Sequence, residues 1–224
     1  MNTLPPHVRR ARRPAHKELR LASIIEAARS LALHKGVREV TLTDIAAEAG
    51  LAKSAVLRYV ETREEIFLRL TAEGWSQWAT AVGQSLGDRT DGTVEELAEL
   101  LCRTLVDQPL FCDLLAHVAL NLERHVSMEA VLGYKLATLD ALNDLTEICG
   151  RFLPELPQPA ARELIGDLSL LAGALWQIAT PPPALARLYA EEPKLAHMKV
   201  DLLPRLTTAA RALATGLVTG GITA

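Results

Sequence analysis

The sequence has few cysteines, few aromatics and no long apolar run. Its three cysteines, Cys102, Cys112 and Cys149, are odd in number and widely spaced, which argues against a disulfide framework and a zinc-binding pair. They fit a reducing compartment, as small buried hydrophobes. The longest apolar stretch, about 164–179, is interrupted by Asp167 and is too short to span a bilayer. The opening MNTLPPHVRRARRPAHKELRL is basic and broken by prolines, without the apolar core of a secretory signal. A cytoplasmic protein with no membrane partner is therefore expected. Also missing are G-x-S-x-G, a Walker glycine loop and G-x-G-x-x-G. Neither an enzyme nor a bound cofactor is expected.

What is abundant is alanine and leucine, with 49% hydrophobic residues overall and few β-branched runs. That composition favours an all-α chain with a sizeable core, built as one large domain or two small ones. The net charge of −3 is unevenly spread: residues 1–70 carry +5 and residues 71–224 carry −8. A basic first third before an acidic remainder suggests a polyanion-binding module joined to something else.

Residues 1–16 hold three prolines among Arg9, Arg10, Arg12 and Arg13. They are expected to form a flexible basic arm, either a solubilising tail or a contact to phosphates or the minor groove. From about residue 17, Leu21, Ile24, Ile25, Ala28, Leu31 and Ala32 repeat at helical spacing and Gly36 closes the run. Thr41 and Asp44 then stand at capping-box spacing, flanked by Val40 and Ile45. Gly50 ends this short helix, Leu51 plugs the turn, and another helix begins at Ala52–Lys53. Two short helices around a glycine turn make a helix-turn-helix, whose second helix fits the major groove and reads bases with its first residues. Val56 and Val60 are expected to pack inward, leaving Lys53, Ser54, Ala55, Leu57 and Arg58 outward. Thr62 and Glu65 form the next capping box, and Arg63 lies in that helix's first turn. A cation there opposes the macrodipole; a docked phosphate would offset the cost, the alternative being an exposed arginine without a role. Further helices are expected at 63–86, 94–107, 110–126, 128–153, 159–179, 184–191 and 199–218.

The string VTLTDIAAEAGLAKSAVLRYVETREEIF resembles the DNA-binding domain of the tetracycline-repressor (TetR) family. Thr41, Ile45, Ala46, Ala49, Gly50, Lys53, Tyr59, Arg63 and Glu64 fall where the family pattern expects them, over about residues 17–68. Three positions depart from it: Ala52 replaces a helix-capping serine, Leu57 a backbone-contacting tyrosine, and Val60 a closing phenylalanine. Arg58 and Tyr59 are expected to take over part of the phosphate contact. The resemblance implies a basic arm (1–16), a three-helix reader (17–62), and a larger helical effector-binding and dimerisation bundle (63–224). It further implies a homodimeric, DNA-binding transcriptional regulator on a palindromic operator, most simply a repressor released by a small-molecule effector. The other reading is a regulator or activator of the same fold with no effector. Thr41, Thr43, Lys53, Ser54, Ala55, Leu57, Arg58, Tyr59 and Arg63 are the expected DNA-contacting residues. Dimerisation is expected through 159–179 and 199–218, where Gly166, Ala172, Gly173 and Ala174 either admit a partner helix or belong to ordinary packing.

Trp75, Trp78, Phe111, Tyr134 and Trp176 either fill the core or wall an effector pocket. Asp113, His117, Asn121 and His125 recur every four residues and share a helix face. Such a face is a polar stripe, an organic effector's anchor through His117 or Asn121, or the start of a metal site. With no further ligand clustered nearby, no metal is expected.

Overall fold

A computed structural model describes residues 6–220, with ten α-helices and no strand among them. The helices are α1 (Pro6–Lys35), α2 (Leu42–Glu48), α3 (Lys53–Val56), α4 (Arg63–Leu86) and α5 (Val94–Val106). After them come α6 (Pro109–His117), α7 (Met128–Phe152), α8 (Gln158–Ala179), α9 (Pro183–Glu191) and α10 (Leu202–Gly220). Short 3₁₀ segments at Val37–Glu39 and Pro193–Met198 and a π turn at Val118–Leu122 complete the chain.

α1 begins at Pro6, so the backbone of the expected flexible arm continues the first helix. Arginine and alanine, frequent in this segment, are among the better helix formers. The side chains of Arg9, Arg10, Arg12 and Arg13 lie outside the described residues, and their expected DNA contact with them.

Ile24, Ala27, Ala28 and Ala32 of α1 are buried, together with Ile45 and Ala46 of α2 and Val56 and Val60 around α3. These close a small three-helix reader whose core runs continuously into that of the bundle. α4 belongs to both, since its first turns bury Ile66, Phe67 and Leu70 and its later turns bury Trp75, Trp78 and Val82. In the bundle α4 packs chiefly on α7, α6 on α8, and α10 on α5 and α8.

The caps follow the sequence closely. Thr41 Oγ1 accepts the Asp44 N–H, while Asp44 Oδ2 accepts the Thr41 N–H at 2.8 Å. Thr93 and Glu96 repeat the box on α5. At α4 the box is split: Thr62 Oγ1 accepts the Glu65 N–H, but Glu65 reaches one residue further back, to the Glu61 N–H at 2.6 Å. α3 has no side-chain cap, as Ala52 implies.

Of the four small residues of α8, Ala172 and Gly173 are used inside the chain. A Cβ on Gly173 would lie 2.7 Å from the Ala116 backbone nitrogen, so this glycine permits the α6–α8 crossing. Ala174 is exposed and Gly166 faces open space.

Candidate nucleic-acid interface

The turn between α2 and α3 is made by Gly50, whose φ of +65° is left-handed and suits a residue without a Cβ. Gly50 donates to the Ala47 carbonyl and Leu51 to the Ala46 carbonyl at 2.8 Å, which reverses the chain within three residues. Leu51 is half-buried against the core, the plug its position implied. α3 is regular only over Lys53–Val56; the expected continuation to residue 60 is a tighter turn, with Arg58 N–H bonded to Ala55 O and Tyr59 N–H to Val56 O. Val56 and Val60 anchor it from beneath.

This leaves Lys53, Ser54, Leu57 and Arg58 exposed on the outer face of α3, with Ala55 and Tyr59 half-buried beside them. Thr43 is exposed on the first turn of α2. These positions in and just after α3 carry two cations, Lys53 and Arg58, without an acidic residue among them. Such a surface attracts phosphates and presents polar groups to base edges.

Two of the expected contacts have internal duties. Thr41 spends its hydroxyl on the cap, accepting the Asp44 amide and donating to Asp44 Oδ2 at 2.8 Å. Arg63 points inward. Its guanidinium donates to the Val37 and Val40 carbonyls and to Glu64 Oε1, and it stacks on the Phe67 ring with its carbon 4.7 Å from the centroid. Within the chain, two backbone carbonyls offset the cation's cost at the helix start. Asp44 also accepts from Lys35 at 3.0 Å, and the Thr41 amide, Lys35 and the Thr41 hydroxyl hold its carboxyl down at about 2.

Two of the ties between reader and bundle are carboxylates that sequence reasoning did not assign to this task. Asp113, buried on α6, accepts the Val37 N–H at 2.8 Å on one oxygen and the Gln177 amide of α8 at 2.7 Å on the other. His117 Nε2 lies 3.5 Å from that second oxygen. Burial pushes the Asp113 carboxyl up, but His117, the Val37 amide and Gln177 together outweigh it and hold it below its ordinary value. On the opposite side Glu61 accepts the Ser127 N–H at the start of α7, at 3.1 Å. The available hint was a lone acid inside the apolar run PLFCDLLAH, since a buried carboxylate needs donors.

The candidate effector residues are distributed over four places. Trp75, Trp78 and Phe111 form one aromatic cluster, with centroids 5.6 Å apart for Trp75–Trp78 and Trp75–Phe111. Trp78 Nε1 donates to Thr104 Oγ1 at 3.1 Å, and Gly74 leaves room for the Phe111 ring, which a Cβ would meet at 2.3 Å. Tyr134 is buried and lines a cleft of about 670 Å³ between α7 and the segment after α3, together with Arg58, Glu61 and Arg69. His117 and Trp176 line a second cleft, of about 620 Å³, between the corner at Gly36–Arg38 and the ends of α6 and α8. Asn121 is exposed on the π turn. Among the described residues no group of three metal-ligating side chains is assembled, and no single helix is long and apolar enough to cross a membrane.

Residues 24–70 match the family model described as bacterial regulatory proteins, tetR family, and residues 72–221 match the tetracyclin repressor-like C-terminal domain. A curated relative, the uncharacterized HTH-type transcriptional regulator YfiR of Bacillus subtilis, is 30% identical over 100 residues, covering 38% of this chain and 48% of that protein. The chain thus spans about half the length of the curated relative it matches. Among solved structures, the fatty acid degradation regulator FadR from Bacillus halodurans superposes with a TM-score of 0.54 at 21% identity, over 91% of this chain and 96% of that one. FadR from Bacillus subtilis in complex with stearoyl-CoA gives a TM-score of 0.52 at 19% identity, over 89% and 98%.

Proposed function

The chain belongs to the tetracycline-repressor family of bacterial transcriptional regulators, and from that premise we propose that it is a cytoplasmic homodimeric repressor released from its operator by a small molecule. The observation that carries the DNA-binding half is the exposed Lys53–Arg58 face beyond the Gly50 turn. In a dimer, two such faces would enter successive major grooves about 34–36 Å apart on a palindromic site. Lys53, Ser54 and Ala55 lie nearest the bases, while Thr43, Arg58 and Tyr59 meet phosphates.

The release half is supported by the two carboxylate ties. The cleft beside Asp113 is shared by the corner that carries α2 and by α6 and α8. A ligand that donates to Asp113 in place of Val37, or accepts from the Val37 amide itself, would free that amide from α6, so the reader would lose one of its ties to the bundle. It acts as an inducer only to the extent that it binds the loosened state more tightly than the DNA-bound one. The effector-free alternative draws on the packing of Trp75, Trp78 and Phe111 against one another on α4 and α6, with the Phe111 ring filling the space beside Gly74.

Binding to DNA upstream of the chain's own gene, followed by mobility shift across a salt series, tests the first half. A specific complex should weaken steeply as salt rises, because each neutralised phosphate releases a counterion. Lys53→Glu should lower the affinity about tenfold or more, with the helical circular dichroism unchanged; an unaltered affinity would remove α3 from the groove. Release of the bound fragment by a panel of small molecules tests the second half. Long-chain acyl-CoA belongs in that panel, because a fold relative holds stearoyl-CoA.

A further inference from the structure

One exposed residue of the α3 face has no polar group to offer. Leu57 closes α3 as its C-cap, with φ −63° and ψ −5°, so it still stands in helical register. It is 48% exposed. Lys53 and Ser54 lie four and three residues before it, so the three share one side of the helix, and Arg58 lies four beyond Ser54 on that side. Leu57 therefore sits among the groups placed to meet bases and phosphates. The core does not account for a leucine here, because Val56, at 0% exposure, and Val60, at 3%, anchor the segment from beneath. The other strongly exposed leucines among the described residues of the reader, Leu19 and Leu33, belong to α1. Part of Leu57 borders the cleft that Tyr134 lines, and the rest is open.

What an aliphatic side chain can recognise in a major groove is narrow. It has no hydrogen bond for a phosphate, and none for the donor and acceptor edges of guanine, adenine and cytosine. Thymine differs, because its C5-methyl group stands in the groove as an apolar surface. Packing that methyl on Leu57 removes apolar area of both partners from water. Over another base the leucine would cover a polar edge without bonding it, at a cost. We infer that Leu57 is a specificity-determining residue that packs on the C5-methyl of one thymine in each half-site. Arg58 beside it attracts the phosphates of any sequence; Leu57 supplies a preference that depends on the base. The inference rests on the placement of α3 in the major groove proposed above, and its test separates the two.

The duplex that the full chain binds most tightly is selected from a random-sequence pool. Each of its thymines is then replaced in turn by deoxyuridine, which removes the methyl and keeps the base pair. At one position per half-site, uracil should weaken wild-type binding about fourfold, the worth of one buried methyl-sized group. The same replacement should leave the affinity of Leu57→Ala unchanged. Leu57→Met, apolar and of similar volume, should retain the penalty. Each ratio is read within one variant, so a general loss of affinity or stability cancels. In a second arm the T·A pair at that position becomes C·G or 5-methylcytosine·G. Wild type should favour the methylated pair about fourfold and Leu57→Ala should not. Uracil penalties that are absent from wild type, or equally present in Leu57→Ala, overturn the contact, as does equal wild-type affinity for the two cytosine duplexes. Lys53→Glu decides the premise. If it leaves the affinity unaltered, or if the pool yields no preferred duplex, the groove placement falls and the leucine contact with it. If it weakens binding while the uracil penalties persist in Leu57→Ala, the placement stands and the contact alone is overturned.

Discussion

Asp113 and Arg63 do opposite jobs with the same 3₁₀ corner. Asp113 takes the Val37 N–H for the bundle, and Arg63 takes the Val37 and Val40 carbonyls for the reader. Replacing Asp113 by alanine strands the buried Val37 amide and removes the part-buried Gln177 bond, at a cost of about 1–3 kcal/mol in urea unfolding. Its carboxyl is held below the ordinary value in the folded chain. The charged form is therefore the one the fold prefers. Its contribution should be complete above about pH 4–5, the unfolded carboxylate range, and disappear as the pH falls through the depressed folded value. The stability gap between wild type and Asp113→Asn should thus be flat from neutral pH down to that range and shrink below it. Arg63→Lys should lower the unfolding midpoint as well as DNA affinity, because one ammonium cannot reproduce the planar fork on two carbonyls and Phe67. Lys53→Glu should leave that midpoint alone, and comparing the two variants separates a corner brace from a DNA contact.

At the scale of elements, helix positions were largely written in the sequence, and the sites where they meet were not. The Thr41–Asp44 and Thr93–Glu96 boxes and the Gly36 and Gly50 stops are local chemistry, so α2 and α5 could be placed from residues three apart. The split cap at Glu61–Glu65 shows the limit: the same motif at Thr62 takes a different amide, that of Glu61, whose side chain is tied to Ser127, 66 residues away. The shortened α3 and the inward Arg63 were hidden for the same reason, since their partners are backbone groups that every sequence has. Gly173 is similar. It read equally well as a partner-facing or an internal small residue, and only the α6 backbone 2.7 Å from its absent Cβ decides for the internal role. Gly173→Ala must push α6 away from α8 and should cost about 1–3 kcal/mol, with a loss of coupling between effector and DNA. If thermal unfolding is unmoved, that crossing is looser than described.

Taken whole, the molecule keeps its reactive chemistry out of reach and its charge in view. All three thiols are buried, and burial pushes them up to about 11 for Cys102 and about 12 for Cys112 and Cys149. A thiol reagent should titrate none of them in the folded protein at neutral pH and all three in denaturant; fast modification of any one would show the bundle opening there. The aromatic residues carry a last consequence. Two of the three tryptophans sit in the tilted cluster with Phe111 on the helix that joins reader to bundle, and the third lines the cleft beside Asp113. The indoles therefore occupy the two regions that a switch of state would disturb, and nowhere else. The protein is equipped with its own optical gauge: its intrinsic emission should follow ligand entry and reader movement in real time, without a dye, a label or DNA in the cuvette.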